Sequence, residues 1–288
     1  MTAPADLWRS LEATESLPSL PAVYERVARL ANDPGSNAAT IAEVVCADLA
    51  LSGRLLKLVN SSIYGFPREI STITRAIVVL GFDALRQLVL AACAVDLFPP
   101  APAARLDLGA FWEHSLSTGL LAKSIAVYRR DEEAEEAFVG GLLHDVGKLV
   151  LARHEPGRYG EVVERHASRG TTLAQEEREA FGADHAQVGG FLLERWRLPP
   201  RLVALVSCHH RPWEAAGAAE RATAVQLADA LSIALGWGNG GDRWVAPVEG
   251  GALERLRLAG TDLDPILAAV EREYEETKSI FRPGRMAS

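Results

Sequence analysis

The spacing of apolar residues constrains the fold of this chain more than any other feature. Segment after segment places apolar residues three and four positions apart, as an amphipathic helix requires. The run 22–31 shows the pattern, with Pro21 at its start and Pro34 soon after its end. Alternation with a period of two residues, which marks strands, is confined to a few residues near Trp244. The sequence therefore predicts an all-α fold.

The stretch FPPAPAARLDLG, from Phe98 to Gly109, interrupts the helical pattern. It is rich in proline and alanine and lacks periodicity, which is typical of a linker. Helical segments resume after it and continue to the C-terminus, broken by the glycine-rich loop GWGNGGDRWVAPVEGG, which we expect to be mobile. We therefore predict two helical lobes, residues 1–107 and residues 108–288.

Charge and cysteine usage exclude several classes of function. The 288 residues carry a formal net charge of −8, so a broad nucleic-acid-binding surface, which needs a basic field, is not expected. Three widely separated cysteines argue against a disulfide framework and against a cysteine-type zinc site. Charged residues interrupt the most apolar stretch, 76–98, and the N-terminus lacks the pattern of a signal peptide. We expect a soluble cytoplasmic protein without a membrane segment.

The segment GGLLHDVGKLV, residues 140–150, places three ionisable side chains in an apolar run. Burying them without partners would be costly, so partners are expected. If the run is one continuous helix, Lys148 lies about one turn from both His144 and Asp145, and all three share one edge. Histidine and aspartate are metal-ligand types, and a nearby lysine suits an anionic ligand such as a phosphate.

Further histidines and a second aspartate stand in similarly apolar surroundings, whereas His154 and His166 lie in polar, surface-like contexts. Each residue alone has an ordinary explanation, such as a hydrogen-bonded core histidine or an aspartate paired with an arginine. One shared metal site explains all of them together. The candidate ligands are His114, His144, Asp145, His185, His209, His210 and Asp229. Imidazole and carboxylate together favour one or two ions of iron, manganese, nickel or zinc over calcium.

The order of these candidates, a histidine, a His-Asp pair and a distal aspartate, resembles the HD superfamily of metal-dependent phosphohydrolases. HDVGK matches the HDxGK form of the motif, and the additional histidines resemble the two-metal members. Longer segments, among them LPSLPAVYERVARLANDP, AFVGGLLHDVGKLVL and ERWRLPPRLVALVSCHHRP, resemble an HDOD domain, the HD-related output domain of bacterial signalling proteins. This resemblance covers roughly residues 15–235.

The resemblance implies an N-terminal helical lobe packed on an HD-like lobe, and we assign the glycine-rich loop and the C-terminal helix to the second lobe. It also implies roles for the candidates. Asp145 would bridge two metal ions, and Lys148 would contact a phosphoryl group, although a surface salt bridge explains that lysine equally well. The other ligands divide between the two ions: His114, His144 and Asp229 for one, and His185, His209 and His210 for the other.

Two functions from different classes fit the resemblance. The first is a signalling output module that holds transition metal and acts by binding signalling proteins or a nucleotide, since many HDOD domains are regarded as non-catalytic. The second is a metal-dependent phosphohydrolase or phosphodiesterase acting on a nucleotide. A nucleotide sensor that binds without hydrolysis is a third. The HD-GYP phosphodiesterases, two-metal members that hydrolyse cyclic di-GMP, carry an Asp-Gly-x-Gly-Tyr-Pro segment. No such segment follows His209-His210 in this sequence, which counts against hydrolysis of cyclic di-GMP. No particular oligomeric state is predicted.

Overall fold

The structure is a computed structural model that describes residues 4–14, 17–62 and 64–281. The first predicted lobe begins with residues 1–3 and the second ends with residues 282–288, and both ranges lie outside the described residues. Within the described ranges every regular element is a helix and no strand occurs, which confirms the all-α prediction. None of these helices combines the length and the apolar character that a membrane span requires.

Among the residues that the structure describes, six α-helices precede the linker, and the last of them is central to the N-terminal part. They are α1 (Pro4–Ala13), α2 (Ala22–Ala31), α3 (Ala38–Cys46), α4 (Leu49–Val59), α5 (Ile73–Leu80) and α6 (Phe82–Ala94). Helices α2, α4 and α5 all pack against α6, whose residues from Leu88 to Ala94 are buried. The expected stop at Asn32 is observed, because that residue caps the C-terminus of α2.

In the described part of the chain ten α-helices follow the linker, and the first of them is long and mostly buried. They are α7 (Leu108–Tyr128), α8 (Ala134–Leu143), α9 (Val146–His154), α10 (Pro156–Arg169), α11 (Leu173–Phe181), α12 (His185–Arg195), α13 (Pro200–Ser207), α14 (Ala219–Leu235), α15 (Ala252–Leu256) and α16 (Leu263–Thr277). Helix α7 packs against α8, α14 and α16, and α9 packs against α12. The polar residues of α7 are therefore held inside the molecule.

The run 140–150 is not one continuous helix, so that prediction is wrong. Helix α8 ends at Leu143 and α9 begins at Val146, with His144 and Asp145 in the turn between them. Two local hydrogen bonds accompany the break. The His144 ring donates from Nδ1 to the carbonyl oxygen of Gly141 at 2.7 Å, and the Lys148 amide donates to the Asp145 carbonyl oxygen at 2.9 Å. The turn directs both side chains of the His-Asp pair into the interior, where each is at most 1% exposed.

The two parts of the chain share one apolar core, which runs from Leu7 to Phe281. Helix α6 packs against α8 across the junction. The Lys123 ammonium of α7 lies 3.4 Å from the centre of the Tyr64 ring, which belongs to the N-terminal part, and 2.6 Å from a carboxylate oxygen of Glu135. Phe98, the first residue of the linker, is itself buried. The division at residue 107 stays a prediction.

Candidate metal centre

All seven predicted ligands converge at one place, although they come from five separate segments. His114 lies on α7 and Asp229 lies in the middle of α14. The others stand at helix ends: the His-Asp pair between α8 and α9, His185 at the first position of α12, and His209-His210 in the turn that follows α13. Because turns and helix ends supply five of the seven, helices that run in different directions present their side chains to one point.

One group of ligands consists of His114, His144 and Asp229. The Oδ1 atom of Asp229 lies 3.2 Å from Nε2 of His114 and 3.6 Å from Nε2 of His144. The three candidate ligand atoms all lie within 4.8 Å of one another, and all three residues are buried. This grouping is the one that the family resemblance assigns to a single ion.

The second group consists of His185, His209 and His210, and its candidate ligand atoms also lie within 4.8 Å of one another. The Nε2 atoms of His185 and His210 are 2.9 Å apart. Two imidazole nitrogens at this distance either share a proton or face a common cation. The spacing therefore suits three nitrogen ligands around one ion.

Asp145 lies between the two groups. Its Oδ2 atom is 3.3 Å from Nε2 of His144 and 3.6 Å from Nε2 of His114, whereas its Oδ1 atom is 3.2 Å from Nε2 of His185. One carboxylate oxygen thus faces each group. This is the placement that a bridging carboxylate requires, and it supports the role that the resemblance implies for Asp145.

Four of the rings are held from behind by hydrogen bonds at Nδ1. His144 and His209 donate to the backbone carbonyl oxygens of Gly141 at 2.7 Å and Val206 at 2.8 Å. The other two contacts are a 3.0 Å hydrogen bond between His114 and the Ser232 hydroxyl and a 2.5 Å hydrogen bond from His185 to Glu177. Holding Nδ1 fixes the ring orientation and leaves Nε2 to face the cluster, as in metal sites of known proteins.

The Nε2 atoms of His144 and His209 test whether the site suits a cation. Both atoms are buried, and neither has a hydrogen-bond partner among the described residues. A buried polar atom without a partner costs about 1–3 kcal/mol, so such atoms need an explanation. Nε2 of His144 makes ion-pair contacts of 3.3 Å with Asp145 and 3.6 Å with Asp229 but no hydrogen bond, and a metal cation among these ligands would satisfy both nitrogens. The residues present therefore suit the group that the family implies.

Protons compete with a cation for two of these rings. Burial lowers the pKa of His144, but the neighbouring Asp145 and Asp229 outweigh burial and raise the pKa to about 9. Burial likewise opposes the charge on His185, yet Glu177 and Asp145 raise its pKa to about 10. Both rings must release a proton from Nε2 before that nitrogen can bind a metal.

Four other ligands, His209, His210, Asp145 and Asp229, are already in the form that a metal needs. Burial and the neighbouring imidazoles hold the pKa values of His209 and His210 well below the ordinary value, so both rings are neutral. Burial tends to raise the pKa of Asp145 and of Asp229. The surrounding histidines, and Lys148 in the case of Asp145, outweigh burial and hold both pKa values well below the usual range. Both carboxylates are therefore ionised.

Lys148 belongs to the centre. The interpretation as a surface salt bridge is wrong, because the residue is only 1% exposed. Its Nζ atom lies 2.7 Å from Oδ2 of Asp145, and it also donates to the carboxylate of Asp242 in the glycine-rich loop. Burial lowers the pKa of Lys148, but Asp145 and Asp242 outweigh it and raise the pKa above its ordinary value. The lysine is a fixed positive charge beside the candidate bridging carboxylate.

Sequence analysis missed several residues that contact the ligands. Glu177 accepts hydrogen bonds from both the backbone amide (2.7 Å) and the ring of His185, and it also accepts one from the hydroxyl of Tyr159 at 2.8 Å. Asp242 and Gly240 come from the loop that we expected to be mobile. The expectation that His166 is surface-like is wrong, since it is 0% exposed and its ring hydrogen-bonds to this loop.

An all-α fold with converging His, His-Asp and Asp residues in this order defines a protein of the HD superfamily. Within this superfamily the chain can be assigned to a single family. The model of the HDOD domain matches residues 17–212, which is more than half of the chain, and the chain belongs to the HDOD family.

The chain is also similar to solved structures and to one curated sequence, and one of these structures carries the HDOD name. An HDOD domain protein of unknown function from Geobacter sulfurreducens is 26% identical, with 96% of each chain covered and a TM-score of 0.74. A "Putative phosphohydrolase" from Shewanella amazonensis SB2B is 25% identical, with 96% of this chain and 98% of that chain covered and a TM-score of 0.75. An uncharacterized protein of Treponema pallidum (strain Nichols) is 26% identical over 197 residues. That match covers 68% of this chain and 38% of the Treponema protein.

Proposed function

We propose that this chain is a signal-transduction output module of the HDOD type that holds transition metal in its HD-like centre and acts by binding a signalling protein or a nucleotide. The observation that carries the metal proposal is that the buried Nε2 atoms of His144 and His209 make no hydrogen bond within the described residues. Membership of the HDOD family supports the signalling role. Imidazole and carboxylate donors favour iron, manganese, nickel or zinc.

Two groups of ligands would hold two metal ions. The group of His114, His144 and Asp229 would hold one ion, and the group of three histidines on α12 and after α13 would hold the other. Asp145 would contact both ions, since one of its oxygens faces each group. When bound, such ions supply positive charge that attracts phosphoryl oxygens and acidifies water.

A second candidate function is hydrolysis of a phosphate ester or phosphodiester of a nucleotide. The contact between Lys148 and Asp145 favours it, because a buried ammonium beside a bridging carboxylate is placed to hold a phosphoryl oxygen. In this reaction Lys148 would bind and orient the substrate anion, and the histidine rings, fixed at Nδ1, would hold the ions in place. The name of the Shewanella relative points the same way.

Metal analysis of protein expressed in metal-replete medium tests the proposal. We expect near-stoichiometric transition metal in the wild type and its loss in Asp145→Ala, with the helix content by circular dichroism mostly unchanged. Asp83→Ala is the control, since that aspartate is exposed and forms a surface ion pair with Arg86. A wild type without metal, or full metal retention in Asp145→Ala, would overturn the metal proposal.

Turnover separates the two candidate functions. A panel of nucleotide phosphomonoesters and phosphodiesters is offered to the manganese-loaded and the iron-loaded protein. Hydrolysis that disappears in Asp145→Ala supports the phosphohydrolase. A metal-loaded protein that turns over none of these substrates leaves the binding module as the function.

A further inference from the structure

The segment Trp237–Arg243, called the strap below, crosses directly over the metal centre. At one end the amide of Asn239 donates to the carbonyl oxygen of Ala110, in the first turn of α7, at 2.8 Å. At the other end the amide of Arg243 donates to Nε2 of His166 at 2.9 Å. The loop that the sequence suggests to be mobile is thus fixed to elements on two sides of the centre.

Glycines allow the strap to touch the ligands. A Cβ atom on Gly240 would lie 2.7 Å from Oδ2 of Asp145 and 2.7 Å from Cδ2 of His114. A Cβ atom on Gly238, where φ is +80°, would lie 2.1 Å from the backbone nitrogen of His114. Any side chain at either position would force the strap outward. The backbone at Gly240 therefore covers the face of the centre on which Asp145 and His114 meet.

The strap also contacts Lys148, the lysine of the centre. The carboxylate of Asp242 accepts a hydrogen bond from Lys148, whose ammonium already contacts Asp145. The second oxygen of Asp242 is 3.4 Å from the amide of Leu173 at the start of α11. An acid of the chain itself thus takes the position beside Lys148 that the anionic group of a substrate would need.

From these contacts we infer that the strap is an autoinhibitory closure, in which Asp242 stands in for a substrate phosphate and Gly240 blocks the approach to Asp145. The inference rests on the proposed function, since it takes the centre to hold metal and to accept a phosphate group. Productive ligands must displace the strap, which pivots between the positive-φ glycines Gly236 and Gly251. The ligands that open the centre are phosphate-bearing anions, because they replace one negative charge beside Lys148 with another.

Two variants weaken the closure by different means. Asp242→Asn removes the charge that competes for Lys148 and keeps the size of the side chain. Gly240→Ala places a methyl group where it cannot fit beside Asp145. The matched controls come from the far end of the same loop: Glu249→Gln, whose carboxylate pairs with Arg255, and Gly250→Ala, where an added Cβ meets nothing within 4 Å.

The probes are a chelator and inorganic phosphate, applied to metal-loaded protein whose circular dichroism matches the wild type. We expect both variants to release metal to the chelator at least about tenfold faster than the wild type, since Asp242→Asn weakens a charged hydrogen bond and Gly240→Ala forces the strap away from Asp145. Calorimetry should show phosphate binding about tenfold tighter, whereas the two controls should behave as the wild type.

The outcomes separate the two proposals. A metal-loaded wild type whose metal release and phosphate affinity equal those of both variants would overturn the closure and leave the metal centre standing. A wild type that holds no metal would overturn the proposed function and the closure with it. Faster release in Gly240→Ala together with unchanged phosphate affinity in Asp242→Asn would overturn the role of Asp242 as a stand-in.

Discussion

Gly147, the glycine of the HDVGK motif, gives the sharpest test of how the centre is assembled. It lies where α9 crosses α12, and a Cβ atom there would be 2.0 Å from the carbonyl oxygen of His185 and 2.6 Å from the amide nitrogen of Gly189. Both atoms belong to the backbone of α12, so neither can rotate away. Gly147→Ala must therefore push the two helices apart.

The magnitude follows from the overlap. The 2.0 Å separation is 1.4 Å short of the 3.4 Å at which ordinary van der Waals contact begins. A close-packed interior resists a displacement of this size, and we expect a cost of about 3 kcal/mol, the upper end of the range for overpacking. Replacing a helical glycine by alanine returns up to about 1 kcal/mol, so the net loss of unfolding free energy should be about 2 kcal/mol.

The same displacement should weaken metal binding. His185 is the first residue of α12, and its Nε2 atom lies 3.2 Å from Oδ1 of Asp145. A retreat of α12 lengthens this distance, so we expect the metal affinity to fall by at least about tenfold, the lower end of the range for losing a supporting contact.

Urea unfolding followed by circular dichroism measures the first effect, with chelator present to remove the contribution of metal. Gly53→Ala is the matched control, because Gly53 lies in α4 and an added Cβ there meets nothing within 4 Å. That variant should be stabilised by about 0.5–1 kcal/mol. If Gly147→Ala proves as stable as Gly53→Ala and binds metal normally, the close crossing of α9 and α12 does not position His185 and the reasoning fails.

Three further predictions concern the surroundings of the centre. Glu177→Gln should lower metal affinity by about 10–100-fold, because it weakens the contact that orients His185; competition with a chelator measures the affinity. Glu176→Gln is the control and should leave the metal affinity unchanged, since Glu176 is equally buried but pairs with arginines. The pKa of His144 is raised to about 9 and that of His185 to about 10, so metal binding at pH 7 should release about two protons. The metal affinity should therefore rise by up to about a hundredfold per pH unit as the pH increases. Calorimetry in buffers of different ionisation enthalpy would count the released protons, and a count of zero would contradict the assignment. Arg221→Met should destabilise the protein by about 2 kcal/mol at pH 7, because Asp131 and Glu136 both lose hydrogen bonds from the guanidinium. Burial raises the pKa of Glu136, so the part of the loss due to Glu136 should shrink as that carboxyl is protonated at low pH. An equal loss at pH 4 and pH 7 in urea titrations would count against a contribution from Glu136.

The ligand set was predictable from sequence because a titratable side chain in an apolar helix is a strong local signal. His114 and Asp229 stand among residues that read as core, and the structure buries both. What local pattern could not supply was the turn at His144 and Asp145. That break depends on a local ring-to-backbone hydrogen bond, which the apolar periodicity does not reveal, and on the crossing with α12, which is a tertiary feature.

Glu177 carried a signal that was overlooked. It lies four residues after Leu173 and four before Phe181, so it falls on the apolar stripe of α11, and the structure buries all three residues. A carboxylate on a buried stripe needs a partner, by the argument applied to Asp229. The charged neighbours of Glu177 made the segment look like a solvated face and concealed its position.

The strap lies beyond local sequence reasoning. A glycine-rich loop has no hydrophobic period, so nothing in residues 237–243 tells which part of the molecule the loop contacts. Its contacts with His114 and Lys148 depend on residues about 90 to 125 positions away in the chain. Only the assembled structure shows that Asp242 and the two close-packed glycines belong to the centre.

The shared core changes what the linker between residues 98 and 109 can do. A flexible tether would let the two halves tumble separately, but here Phe98 and Ala104 are themselves buried, and α10 packs on the turn Pro102–Ala104. Cutting the chain at this point would expose the apolar surface that α6 and α8 now share, and each fragment would be prone to aggregate. Fusion partners are therefore better attached at the ends of the chain than inserted at this junction, and a swap of halves between relatives must also exchange the residues of α6 and α8 that meet there.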